Sequence, residues 1–305
     1  MVHELFADRL VTRQRALGHP LCVGLDPHLG RIPESFRRGT MAPSDPDTAA
    51  AVETFLAAVV ARLEGRVAAV KPQIAFFEQL GWRGLQVLER LVARCHEHEL
   101  LVIMDAKRGD IGSTAAGYAR AFLGRDAPWG SDALTVNPYL GLDTLEPFLD
   151  AAASAGAGLF VLVKTSNPGS DDLQRRHDGA GHPLYLTLAA ALEQRAARLA
   201  GTSSGFSGLG AVVGATYPDD ARRVREVMPH GLLLVPGFGA QGASAADSVA
   251  GFVRGPHGLE GGVVNASRSI VFPSEEGKGA SRAPWSQRFD DALARACADL
   301  ADAVA

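Results

Sequence analysis

The chain has 305 residues, 47% of them hydrophobic and 21% charged, which is enough for one large domain or two small ones with an ample core. A net charge of −4 argues against nucleic acid or an anionic membrane surface as a partner. No apolar stretch approaches the ~20 residues of a membrane span, and the N-terminal segment carries acids where a secretory signal would be basic and then apolar, so a cytoplasmic location is expected.

Short apolar runs alternate with helical spacing from end to end. Strands are predicted at 21–25, 67–70, 100–104, 133–136, 159–163, 209–213, 232–235 and 262–264. After the first run, Val52, Phe55, Leu56, Val59, Val60 and Leu63 keep the spacing of an amphipathic helix. Leu85, Leu88, Leu91, Val92 and Cys95 do the same after the second. Weaker helical patterns lie at 142–149, 185–192, 221–228, 245–253 and 289–300. Eight β-then-α units without a compositional break predict a (β/α)8 TIM barrel, a single domain over 1–305 with long loops at about 30–47, 167–183, 201–208 and 272–284. A doubly wound open sheet is the alternative, because alternation alone does not prove closure. Cys22, Cys95 and Cys297 lie far apart in apolar or Ala-rich patterns and read as buried reduced thiols. His96 and His98 read as exposed residues at a helix end, so no metal site is expected there.

In a barrel the chemistry lies at the C-terminal ends of the strands, so the polar residues that follow each apolar run are the candidates. The richest is Asp105-Ala106-Lys107-Arg108-Gly109-Asp110, directly after the run 100–104. Side chains alternate along a strand, so Asp105 and Lys107 leave it on the same side. A charge cluster at a buried strand's mouth is costly to desolvate and is commonly functional; the alternative is a strand-end salt bridge beside a solvated Asp. Of 30 basic residues only four are lysines, at 71, 107, 164 and 278. An ammonium can give up a proton where a guanidinium stays charged, which favours tasks for Lys71 and Lys107 that Arg could not fill. Lys164 shares that argument without an assignable task. Asp26 before Pro27 could equally be a turn residue, Asn137 before Pro138 is more often a turn than a ligand, and Ser166 follows the fifth run after Lys164 and Thr165. His28, His177 and His182 lie in loops and receive no role. Gly237, Gly239 and Gly242 after the seventh run, with Arg268 after the eighth, have the composition of a phosphate site.

Taken together, Asp-Pro after strand one, Lys after strand two, Asp-x-Lys-x-x-Asp after strand three, Ser-Asn-Pro-Gly after strand five, Gly-x-Gly-Ala-Gln-Gly after strand seven and Arg-Ser-Ile after strand eight resemble the orotidine 5'-phosphate decarboxylase family. The likeness runs from about Asp26 to Ile270, and the fuller string from Asp105 to Thr114 resembles its longer, type 2 subfamily. The resemblance implies cofactor-free and metal-free decarboxylation of orotidine 5'-monophosphate to uridine 5'-monophosphate, the last step of de novo pyrimidine synthesis. Lys107 would protonate C6 as carbon dioxide leaves, Asp105 would lie against the substrate carboxylate, and Lys71 and Asp110 would complete the network. Asp110 and Thr114 would reach the neighbouring site of a homodimer with shared active sites. Asp26 and Lys71 would bind ribose hydroxyls, Ser166 would read the pyrimidine, and Gly239, Gln241 and Arg268 would hold the phosphate. Ser267 departs from the family pattern, which often has Gly before the phosphate Arg. Two other functions share parts of this pattern. Related barrels that use a divalent metal share Asp-x-Lys-x-x-Asp but generally carry an acidic ligand where this chain has Lys71. A non-catalytic nucleotide-binding barrel is disfavoured by the intact charge cluster.

Overall fold

Eight parallel strands close on themselves. The computed structural model describes residues 4–124, 126–239, 242–273 and 284–305. The barrel strands are β1 (Leu21–Leu25), β2 (Ala69–Pro72), β3 (Leu101–Arg108), β4 (Ala133–Val136), β5 (Gly158–Lys164), β6 (Ser207–Val213) and β7 (Gly231–Pro236). A small antiparallel hairpin, β8 (Val253–Gly255) and β9 (Gly258–Glu260), precedes the eighth barrel strand, β10 (Gly262–Ala266). The order around the barrel is β1-β10-β7-β6-β5-β4-β3-β2, which settles closure in favour of the TIM barrel over the open sheet.

Alternation along each strand divides the core in two. Outward residues such as Val23, Val70, Val102, Leu134 and Val161 pack under the helices. Inward residues, among them Cys22, Ala69, Ile103, Ala133, Phe160, Val212, Leu234 and Val263, fill the barrel. The helix Pro46–Leu63 buries Val52, Phe55, Leu56, Val59, Val60 and Leu63, the stripe its spacing predicts. Asp45 caps it by accepting the Asp47 amide at 2.9 Å.

The repeat of β-then-α units contains nothing before residue 21, yet a helix spans Phe6–Leu17. Its Phe6, Ala7, Leu10 and Val11 plug the N-terminal end of the barrel. Buried Asp8 fastens it by accepting the amides of Thr202, Ser203 and Ser204 at 2.7, 3.1 and 2.8 Å. Burial by itself raises this carboxyl, but the Ser204 hydroxyl and those amides hold it well below the usual carboxylate range. Arg15 grips Glu260 of β9 bidentately at 2.9 and 2.8 Å.

Several expectations are corrected. The helical pattern at 245–253 is helix only over Ala245–Ser248, and its end pairs as β8. Cys22 and Cys95 are buried, whereas Cys297 is half-buried, and all three are free. His96 is exposed as expected, with its Nε2 3.2 Å from Asp132 Oδ2, whereas His98 is only partly exposed and its Nδ1 lies 2.9 Å from Glu64 Oε2. The segment expected as loop at 167–183 holds a short helix, Asp171–Gln174.

Candidate active site

At the C-terminal mouth, β3 continues through the charged residues that end its apolar run, so Asp105 and Lys107 belong to the strand itself. Asp105 stands above inward Ile103 and is buried. Its Oδ2 accepts Lys71 Nζ at 2.5 Å and its Oδ1 accepts Lys107 Nζ at 2.6 Å. Thr135 Oγ1, on the neighbouring inward position of β4, donates to Oδ1 at 3.0 Å. Burial alone pushes the Asp105 carboxyl up, but the Lys71 and then the Lys107 ammonium hold it well below the ordinary range. Burial pushes Lys71 down, and Asp105 followed by Asp26 more than reverse this, leaving it above the usual lysine range.

The two lysines differ in freedom. The Lys71 side chain is 6% exposed and that of Lys107 is 42% exposed. Lys107 also has a left-handed backbone, φ 47°, at the register shift between β3 and β4. Such a backbone is unfavourable for a side-chain-bearing residue by about 1 kcal/mol. It is held by the Lys107 amide donating to Thr135 Oγ1 at 2.9 Å. Thr135 therefore supports both members of the pair. It hides in the sequence as a neutral residue within an apolar strand, and only its shared parity with Ala133 marks it as inward.

These groups open into a cleft of about 900 Å³ whose lining includes Lys71, Asp105, Lys107, Thr135, Ser166, Gln174, Leu142, Leu162 and Leu234. Asp26 lies beside the cluster, close enough to raise Lys71. Three buried oxygens at this rim, Asp26 Oδ1, Asn265 Oδ1 and Ser267 Oγ, have no partner among the described residues. A buried polar atom left unpaired costs roughly 1–3 kcal/mol. Ser267 sits over Gly24, where a Cβ would come 2.7 Å from its own. A glycine on the neighbouring strand β1 thus makes room for Ser267.

The expected phosphate loops do converge. Gly239 has φ 72°, and a Cβ there would stand 3.1 Å from Ser269 Oγ, next to Arg268. Arg268 opens the short helix Arg268–Val271 and forms no ion pair among the described residues. Burial lowers His28, Asp26 opposes this, and Arg268 lies near enough to add to the lowering, as does Arg31. His28 packs edge-on against Phe76 at 4.5 Å, placing this loop histidine at the mouth. Gln241 lies outside the described residues. Asp26, Gly239 and Arg268 are on the rim, outside the lining of the cleft. Asp110 and Thr114 are not brought to the cluster either: the Asp110 carboxylate accepts the Ile111 amide at 2.8 Å, and Thr114 is exposed.

The fold and site define a TIM-barrel enzyme class with a lysine–aspartate–lysine cluster, and glycine and arginine residues beside it, at the strand ends. The model of the orotidine 5'-phosphate decarboxylase / HUMPS family matches residues 19–282, and the chain belongs to that family. It is 46% identical over 272 residues to the orotidine 5'-phosphate decarboxylase of Rhodopirellula baltica, covering 88% of each chain. Identity to the Streptomyces coelicolor orotidine 5'-phosphate decarboxylase is 45% over 252 residues, 83% of this chain and 84% of that one. A crystal structure of a candidate orotidine 5'-phosphate decarboxylase from Streptomyces avermitilis superposes with a TM-score of 0.82 at 38% identity, covering 100% of this chain and 97% of the other.

Proposed function

We propose that the cleft decarboxylates orotidine 5'-monophosphate with Lys107 as the proton donor to C6. The chain is an orotidine 5'-phosphate decarboxylase by its relatives, acting in the last step of uridine 5'-monophosphate synthesis. The observation that carries the Lys107 role is the asymmetry of the cluster. Both ammoniums meet Asp105, but the Lys71 side chain is buried inside the barrel while that of Lys107 is 42% exposed at the cleft. A carbanion at C6 needs a cation and a proton at one place, and Lys107 can supply both. Asp105 aligns it and faces the substrate carboxylate. The unpaired Asp26 oxygen and Lys71 suit ribose hydroxyls, Ser166 on the cleft wall suits the pyrimidine, and Arg268 with Gly239 and Gln241 suits the phosphate.

A homodimer with shared sites completes this reading. Ile111, Tyr139 and Leu140 are 62%, 78% and 53% exposed, an apolar face beside Asp110. The two segments are joined by the Asn137 amide donating to Arg108 O at 2.8 Å. A second copy covering that face would receive Asp110 and Thr114 at its own cluster. We place the chain in the longer, type 2 subfamily on the string from Asp105 to Thr114, and in the cytoplasm on its free cysteines. No helix among the described residues is long and apolar enough to cross a membrane.

The deciding assay follows loss of the orotate absorbance with excess EDTA present. Undiminished turnover is expected. Activity that vanishes and returns only with magnesium would replace this mechanism with the metal-dependent one, and tight nucleotide binding without turnover would make the chain a binding barrel.

A further inference from the structure

Lys164 ends β5 with no exposed surface and stands outside the lining of the cleft. In a chain that uses Arg for most of its positive charge, a fully buried lysine calls for a reason. Its ammonium donates to Ser170 Oγ at 2.6 Å and Asp171 Oδ1 at 2.8 Å, and lies 3.7 Å from the centre of the Tyr217 ring. Three N–H donors thus meet two oxygens and a π face, a geometry that suits a compact ammonium and not a planar guanidinium. The network continues outward. Asp171 also accepts Arg175 Nε at 3.0 Å, Arg175 reaches buried Asp220 at 2.6 Å, and Asp220 accepts the Tyr185 hydroxyl at 2.9 Å. Tyr185 belongs to the helix Leu184–Glu193 and Asp220 to the helix Pro218–Val227, so the network fastens the segment after β5 to two barrel helices.

That segment carries Ser166. Its two ends are braced by the Thr165 amide donating to Gln174 Oε1 at 2.9 Å and by Gln174 Nε2 donating to Thr165 Oγ1 at 2.9 Å. Behind it, a Cβ on Gly214 would come 2.8 Å from Ser166 Cβ, so Ser166 rests directly on the backbone after β6.

We propose that Lys164 is a positioning residue, whose ammonium pins Ser170 and Asp171 and thereby holds Ser166 against the substrate's pyrimidine. The proposal rests on reading Ser166 as the pyrimidine contact, so the test separates the two. Amide exchange is measured across 165–176 in Lys164→Met, and Ser166→Ala is made in both the native and Lys164→Met backgrounds. Exchange in 165–176 should quicken by about tenfold or more while protection of β1–β4 is kept. KM for orotidine 5'-monophosphate should rise by roughly tenfold with a smaller change in kcat, and the kinetic penalty of Ser166→Ala should shrink toward none in Lys164→Met. A merely structural lysine would leave that penalty at full size, and this result, or unchanged exchange in 165–176, overturns the proposal. If Ser166→Ala is silent in the native background, the Ser166 reading fails, and the tether is judged on exchange and KM alone. Should Lys164→Met not fold, Asp171→Asn at the half-exposed end of the contact is expected to shift the same readouts in the same direction, and no shift there counts against the tether.

Discussion

Lys107→Ala and Lys71→Ala should separate chemistry from stability within one cluster. Removing Lys107 leaves Asp105 still paired with Lys71 at 2.5 Å and hydrogen-bonded to Thr135 at 3.0 Å, and the lost pair is partly solvated. Its contribution to stability is therefore about 1 kcal/mol or less. The effect on catalysis is much larger. A cation ~4 Å from a developing carbanion, at an effective dielectric near 20, stabilises it by about 4 kcal/mol, roughly a thousandfold in rate. Loss of the proton donor removes a further ~10²–10⁴. We expect kcat/KM to fall by ~10⁵ or more in the orotate absorbance assay, with a melting temperature within about 2 °C of the native chain. Lys71→Ala instead leaves Asp105 buried beside only the half-exposed Lys107, which costs about 3–5 kcal/mol and should lower the melting temperature by roughly 5–10 °C. If Lys107→Ala keeps activity within about a hundredfold, the proton-donor role is wrong. Equal melting shifts in the two variants would refute the division of labour drawn from their burial.

Arg268→Ala should raise KM by about a hundredfold and spare kcat more, and added inorganic phosphite with a phosphate-free substrate should report the same loss of anion binding; unchanged KM would remove Arg268 from the phosphate site. Asp8→Ala should destabilise the chain by about 2–3 kcal/mol through four lost hydrogen bonds while activity per folded molecule is kept. Because the folded Asp8 carboxyl lies below its unfolded value near 3.9, its stabilisation is present above about pH 4 and fades as the pH falls toward the folded value; a chemical-denaturation series that shows the native and Asp8→Ala chains converging at neutral pH would contradict this. Mixing Lys107→Ala with Asp110→Ala chains should restore about a quarter of native activity, since half the dimers are mixed and each has one intact site. Verified mixed dimers without activity would place Asp110 in its own subunit's site.

The alternation of short apolar runs with helical stripes made the barrel legible, and the parity of Asp105 and Lys107 made their pairing legible too. What the sequence hid follows from physics it does not display. The ladder of β3 runs on through Arg108, because backbone pairing does not depend on the side chains being apolar. Thr135 was concealed by neutrality, although it is the residue that holds both the Asp105 carboxylate and the Lys107 amide. The helix Phe6–Leu17 carries its apolar positions in plain view, but it is a plug for a barrel and not part of the repeat that builds one. Lys164 could be recognised as unusual from lysine usage alone. Its partners are Ser170 and Asp171 nearby in the chain and Tyr217 far along it, a combination only the fold assembles.

Two cations on one carboxylate look redundant until the proton has moved. Before transfer, Asp105 is balanced by Lys71 on Oδ2 and by Lys107 on Oδ1. In the proposed reaction Lys107 would become neutral on giving its proton to C6, and a buried carboxylate paired with it alone would lose its counter-charge. That would oppose the transfer, since Asp105 favours a charged neighbour. Lys71 would keep Asp105 ionised throughout, and Thr135, which donates to Oδ1 at 3.0 Å, would still hold the oxygen Lys107 had left. On the proposed mechanism the buried lysine would stabilise the state after the transfer and the exposed one would act in it, each from its own oxygen of Asp105. On this argument Lys71→Ala should raise the pH at which kcat begins to fall on the acid side, because Asp105 then protonates more readily. A kcat profile with an acid limb unchanged from the native chain would show that Lys71 serves the fold alone.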